Sequence, residues 1–67
     1  MEEDLLLAAK AYVEVIEKLG KTSDPRKAQS LEEERGERHW IFIDKLKKYG
    51  IDYRDREDAT RIAYRIV

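Results

Sequence analysis

Residues 39–50 read HWIFIDKLKKYG and combine two conflicting patterns. Four consecutive apolar residues, from Trp40 to Ile43, are compatible with a short buried strand. The continuation is instead typical of a helix end, because lysines match the negative end of the helix dipole and Gly50 follows the last turn. We therefore predict a helix, and its apolar face consists of His39, Phe42, Ile43, Leu46 and Tyr49.

The start of this second helix is marked twice in the sequence. Asp24 followed by Pro25 is a strong start signal, with the aspartate as N-cap and the proline at the first helical position. Segment 30–33, SLEE, has the pattern of a capping box and marks a later start. Residues 25–29 therefore form either a separate turn or the beginning of one helix over residues 25–49.

The first half of this helix is highly charged and carries few apolar residues. Gly36 lies within it and costs about 1 kcal/mol relative to alanine in a helix interior. A bend is therefore expected near residues 30–36.

The first helix is predicted over residues 3–19, because its apolar residues recur at helical spacing. Gly20 is expected to follow it as the residue after the C-cap. The main stripe consists of Leu5, Ala8, Ala9, Tyr12, Ile16 and Leu19. Apolar residues outside the stripe are Leu6, Leu7, Ala11, Val13 and Val15. This width indicates either a helix between two others or one that also faces a second chain.

A third helix is predicted over residues 53–66, capped by Asp52 or Asp55. Its core stripe consists of Ala59, Ile62, Ala63 and Ile66. The fold class is thus all-α: one domain over residues 1–67, built as a small three-helix unit. Its form is either a compact bundle or a helical hairpin with a short third helix.

The composition excludes several classes of protein. Charged residues make up 43% of the chain and the net charge is −1, which argues against binding driven by a whole-protein field. The chain has no cysteine, so disulfides and thiolate metal sites are excluded. Its apolar runs are far shorter than the ~20 residues that span a bilayer, so no membrane role is expected. Because small secreted domains usually carry disulfides, we expect a cytoplasmic location.

Amide side chains are scarce: the chain has no asparagine and one glutamine, Gln29. Depleted amides with abundant glutamate, lysine and arginine are typical of hyperthermophile proteins and also of designed helical proteins. The sequence predicts a heat-resistant fold and leaves both origins open.

No residue pattern predicts catalysis, a cofactor, a metal or a small-molecule substrate. His39 is the single histidine, and a helical Glu-x-x-His metal motif would need a carboxylate where Gly36 stands. Arginines interleave with the acidic cluster, which indicates a solvated, salt-bridged face. The members of that cluster are Glu32, Glu33, Glu34 and Glu37. We therefore do not expect an enzyme.

The apolar residues outside the core stripe of the second helix predict a contact surface. At 100° per residue, Ile41 lies about 100° and Trp40 about 200° from Phe42, so one short neighbouring helix does not cover all three. The predicted partner-binding residues are Arg38, His39, Trp40, Ile41 and Lys45, with Arg38 and Lys45 as a polar rim. The leading hypothesis is a protein–protein interaction module that binds another chain or itself. The alternative is that helices on both sides bury these residues.

A second hypothesis is a small nucleic-acid-binding domain that uses basic residues of the third helix. Those residues are Arg54, Arg56, Arg61 and Arg65. Asp55, Glu57 and Asp58 disfavour nucleic acid, because they occupy the first turn and repel phosphates. A solvated or protein-binding face is the stronger interpretation of this stripe.

Overall fold

The computed structural model describes residues 2–67 and contains three α-helices. Helix α1 spans Glu3–Lys21, α2 spans Pro25–Lys48 and α3 spans Arg56–Ile66. No strand occurs within these described residues, so the all-α, three-helix prediction is confirmed and the strand alternative for residues 40–43 is excluded. Residue 1 of the predicted domain lies outside the described residues.

Helix α2 is uninterrupted through Ser30 and Gly36, so the second predicted start is not used. The side chain of Asp24 caps it by accepting a hydrogen bond from the Arg26 backbone N–H at 3.0 Å, and Pro25 occupies the first position, as predicted. The capping pattern of segment 30–33 has no capping role, because an unbroken helix already satisfies the backbone there.

Two predicted helix ends are wrong by two or three residues. Gly20 lies inside α1. The helix continues to Lys21 and ends at Thr22, where the backbone becomes extended. Helix α3 begins at Arg56 instead of residue 53, and Asp55 is its cap, accepting from the Asp58 backbone N–H at 2.9 Å. A glycine is tolerated in the last turn of a helix, so its presence alone does not fix the end.

Gly50 makes the turn after α2. Its φ of 66° is in the left-handed region, and the next residue, Ile51, donates its N–H to the Leu46 carbonyl at 2.9 Å. This geometry brings Ile51 back against the core.

Gly36, inside α2, and Gly50, in the turn after it, are expected to respond oppositely to alanine. Gly50→Ala should lower the free energy of unfolding by about 1 kcal/mol, because side chains disfavour a positive φ. Gly36→Ala should raise it by up to about 1 kcal/mol, because a Cβ there meets no atom within 4 Å and alanine favours helix. Urea unfolding curves of both variants measure this. Equal effects of the same sign would contradict the assigned backbone geometry.

The core lies between α1 and the inner faces of the other two helices. Its fully buried members are Leu5, Ala8, Ala9, Tyr12, Val15, Phe42, Ile43, Leu46, Ala59 and Ala63. Val15 is buried although it falls outside the predicted stripe, while Ile16 and Leu19 of that stripe are half-buried. The buried face of α1 is therefore rotated toward Val15 relative to the predicted stripe.

Helices α1 and α2 form an antiparallel hairpin. At its open end, Asp4 of α1 is hydrogen-bonded to residues at the end of α2. Tyr49 donates its hydroxyl to Asp4 at 2.5 Å, and the Lys48 ammonium donates at 3.0 Å. These hydrogen bonds, Tyr49 first, hold the pKa of Asp4 well below its usual range.

Helix α3 packs mainly on α1, and its contact with α2 is minor. Two side-chain hydrogen bonds join these helices, Tyr12–Thr60 and Glu17–Tyr64. Because both residue numbers increase from the first bond to the second, α1 and α3 run parallel. Because α3 covers α1 more than α2, much of the surface of α2 has no neighbouring helix.

Candidate protein-interaction surface

Trp40 and Ile41 project outward from the middle of α2. Trp40 is 67% exposed and is the most exposed large apolar side chain in residues 2–67, and Ile41 is 54% exposed. The next two residues, Phe42 and Ile43, are fully buried. The period of the helix explains this contrast, since one turn cannot direct four consecutive side chains into one core. The alternative in which neighbouring helices bury Trp40 and Ile41 is therefore wrong.

One side of the Trp40 indole contacts a neighbouring side chain, and another side is open. The His39 ring contacts it edge-on, with ring centroids 5.5 Å apart and planes at 72°. Gly36 lies one turn earlier and presents no side chain, and the space where its Cβ would stand is empty. The backbone beside Trp40 is therefore accessible to a side chain from outside.

The two basic residues that were predicted as a rim have their charges engaged with α1. Arg38 donates through Nη1 to the Ala11 carbonyl at 2.8 Å and also pairs with Glu34. The Lys45 Nζ lies 3.5 Å from the Asp4 carboxylate. Both groups brace the helical hairpin, and their use in partner binding stays a prediction.

Acidic side chains are the exposed charges nearest to Trp40 and Ile41. Glu37 lies three and four residues before them, and Asp44 four and three residues after them, so helical spacing puts both on the same side. Glu33 lies one turn before Glu37. All three are exposed and form no ion pair within residues 2–67. We call Trp40 and Ile41 with these three acids the α2 patch.

The four glutamates that were predicted to form one salt-bridged face are divided into two pairs by their contacts. Glu32 pairs with Arg35 and Glu34 pairs with Arg38, whereas Glu33 and Glu37 remain unpaired in the described chain. The missed signal was the helical spacing of Glu37 and Asp44 around Trp40.

His39 faces the core side of α2 and belongs to a polar junction of all three helices. Its Nδ1 lies 3.3 Å from the Tyr12 hydroxyl, which is 2.8 Å from the Thr60 hydroxyl. Thr60 donates to the Arg56 carbonyl at 2.9 Å, so Tyr12 donates to Thr60 and accepts from a protonated Nδ1 of His39. Burial, and secondarily the Arg35 charge, lower the pKa of His39. The neutral ring thus fits a structural role.

The junction predicts a loss of stability in mild acid. Because the pKa of His39 is lower in the folded state than its usual 6.5, the unfolded chain binds the proton first as the pH falls. The contribution of the neutral ring is complete above pH 6.5 and is lost below it. Tm should therefore fall between pH 7 and pH 5, and His39→Gln should flatten this part of the profile. An unchanged slope in the variant would assign the effect to other groups.

An open groove of about 450 Å³ adjoins the same junction and was not predicted from the sequence. Its lining residues are Tyr12, Ile16, Arg35, Arg56, Glu57 and Thr60. Opposite charges line it, and Arg35 donates twice to Glu32, so the groove does not select one sign of ligand.

The four arginines that were predicted to bind nucleic acid make different contacts and do not act as one free basic surface. Arg54 and Arg61 approach the same carboxylate, Asp58, at 3.8 and 3.5 Å. Arg56 lines the groove, and Arg65 is exposed without an ion pair within residues 2–67. Two of the four arginines thus share one carboxylate, which offsets one of their two positive charges.

The part of the chain that the structure describes contains no group of three or more histidine, aspartate or glutamate side chains placed to hold a metal ion. None of its helices has the length and apolar character needed to cross a membrane. Comparison with protein-family models, with curated proteins and with solved structures finds no match.

Proposed function

We propose that the chain is a protein–protein interaction module and that the α2 patch is its contact surface. The observation that carries the proposal is Trp40, the single tryptophan of the chain, which is two-thirds exposed in the middle of a regular helix. Tryptophan is enriched at the energetic centres of protein interfaces. A basic or neutral protein chain suits this patch better than an anionic partner because its rim is acidic.

The size of the patch supports a contact of moderate strength. Fully burying a large apolar side chain is worth about 1.5–3 kcal/mol, so Trp40 and Ile41 together supply a useful part of a binding energy. Because neither side chain supports the core, binding is separable from folding. The absence of disulfide-forming residues supports a cytoplasmic location.

Nucleic-acid binding by the α3 arginines is the weaker proposal. The exposed Arg65 supports it, and the Asp58 carboxylate between Arg54 and Arg61 weakens it. No catalytic step forms part of either proposal.

The proposal is tested with Trp40→Ala combined with Ile41→Ser. Binding should weaken by about 30-fold or more, which corresponds to the loss of 2 kcal/mol at an interface centre. Tm should stay within a few degrees of that of the parent chain, because both residues are exposed. Leu7→Ser is the matched control, since Leu7 is 57% exposed on α1 and outside the patch.

Binding partners for this test come from a displayed library of helical peptides selected on the parent chain. Trp40 emission reports each contact, because an indole that enters an interface emits at shorter wavelength. Selected peptides that bind the double variant as tightly as the parent chain would contradict the α2 patch as the contact surface.

A further inference from the structure

The α2 patch has an uncompensated negative charge. Glu33, Glu37 and Asp44 are exposed and unpaired within the described residues, and no basic residue between them is exposed. The exposed basic residues on the same side of α2 lie before or after this segment: Arg26, Lys47 and Lys48. Glu33 and Glu37 are four residues apart on one face, where like charges repel each other. A partner with two basic groups at matching spacing would relieve this repulsion. Phosphate backbones and anionic lipid surfaces are disfavoured by the same charge.

The outer face of α3 has the complementary composition. Arg61, Tyr64 and Arg65 are exposed neighbours at helical spacing, and Tyr64 is 42% exposed although its hydroxyl donates to Glu17. Arg65 forms no ion pair among residues 2–67, and Arg61 reaches Asp58 at 3.5 Å. We call these three residues the α3 face.

The two surfaces match in spacing and in length. Arg61 and Arg65 are four residues apart, as are Glu33 and Glu37, so both pairs repeat at the same distance along their helices. The segment 33–44 rises about 16 Å along α2, and the 11 residues of α3 rise about the same distance. Each surface also has one aromatic side chain: Trp40 lies three residues after the second glutamate, and Tyr64 lies between the two arginines.

From this complementarity we infer that the occupant of the α2 patch is a second copy of the chain, which docks through its α3 face. The inference rests on the proposed function. With the two helices parallel, position 33 opposite 61 and position 37 opposite 65, the two glutamates pair with the two arginines. Tyr64 then lies opposite Gly36, one turn before Trp40 and beside the open flank of its indole. Because the two surfaces differ, the contact is head-to-tail, and each added copy leaves one of each surface free. Copies therefore add in a row until a ring closes.

The test uses two variants of the full chain, and in each the charges of one surface are reversed. Variant A carries Glu33→Lys and Glu37→Lys, and variant B carries Arg61→Glu and Arg65→Glu. Each should be monomeric in sedimentation experiments at concentrations where the parent chain associates, up to about 1 mM. In a mixture of A and B both contacts join opposite charges, because the arginines of A face the glutamates on α2 of B and the glutamates on α3 of B face the lysines of A. The mixture should therefore regain association, with A and B alternating.

Matched controls move the same charges to other positions. Glu2→Lys with Glu3→Lys matches variant A, and Lys10→Glu with Lys21→Glu, both exposed on α1, matches variant B. Both controls should associate as the parent chain does. Raised salt should weaken association, because exposed ion pairs contribute to it.

Each outcome distinguishes this inference from the proposed function. A parent chain that stays monomeric, or a mixture of A and B that does not pair, overturns the second copy as occupant. Association that persists in variant B but is lost in Trp40→Ala with Ile41→Ser overturns the role of the α3 face and leaves the α2 patch in place. Association that persists in the Trp40 and Ile41 variant overturns the second copy as occupant, while loss of peptide binding in the same variant would still support the α2 patch as a contact surface.

Discussion

Phe42→Ala is expected to leave much of the chain unfolded at 25 °C. Phe42 is fully buried and its ring lies against that of Tyr12, with centroids 5.8 Å apart. Removing a buried phenylalanine side chain costs about 3–5 kcal/mol. A domain of this length has a free energy of unfolding of only roughly 3–10 kcal/mol, at about 0.05–0.15 kcal/mol per residue. Circular dichroism with urea titration measures the loss.

Ile41→Ala is the control for this change, because Ile41 precedes Phe42 and is more than half exposed. Its effect on the free energy of unfolding should stay below about 1 kcal/mol, as for most surface substitutions. Similar losses in the two variants would mean that the inner and outer faces of α2 are assigned incorrectly.

Ala59→Leu is expected to detach α3 from the hairpin. Ala59 is fully buried where α3 packs on α1, and the alanines Ala9 and Ala63 are fully buried as well. Small side chains permit a close approach of the helices, and extra methylenes in a filled core cost about 1–3 kcal/mol. A detached helix of 11 residues is not stable alone in water, so α3 should lose its helicity.

Hydrogen exchange resolved by residue measures this effect. In the Ala59→Leu variant, amides of α3 should exchange much faster, while those of the α1–α2 hairpin keep more protection. Arg65→Leu is the control, because it adds an apolar residue to the exposed side of the same helix. Unchanged α3 protection in Ala59→Leu would contradict the close packing of α3 on α1.

Local patterns in the sequence were sufficient to predict the three helices and the outward direction of Trp40. A helix repeats every 3.6 residues, so the core positions Phe42, Ile43 and Leu46 exclude Trp40 and Ile41 from the same face. The Asp24 cap and the Gly50 turn were also predictable, because each depends on residues next to it in the chain.

Features that depend on distant residues were not predictable in this way. Arg38 turns to α1 because the Ala11 carbonyl accepts from it, and Lys45 turns to Asp4, on the opposite helix. The burial of Val15 depends likewise on the rotation of α1 against its neighbours. The acidic rim of the α2 patch became evident only once the arginines nearby were known to face other groups.

The account depends most directly on the exposure of Trp40 in the folded, isolated chain. Its fluorescence is unambiguous because no other tryptophan is present. In dilute solution, acrylamide should quench Trp40 readily and its emission should lie near that of an indole in water, while circular dichroism shows intact helices. Adding a selected helical peptide, or raising the chain concentration until copies associate, should shift the Trp40 emission to shorter wavelength and reduce its quenching by acrylamide. Protected, short-wavelength emission from the dilute folded monomer would place Trp40 in the core and contradict the account.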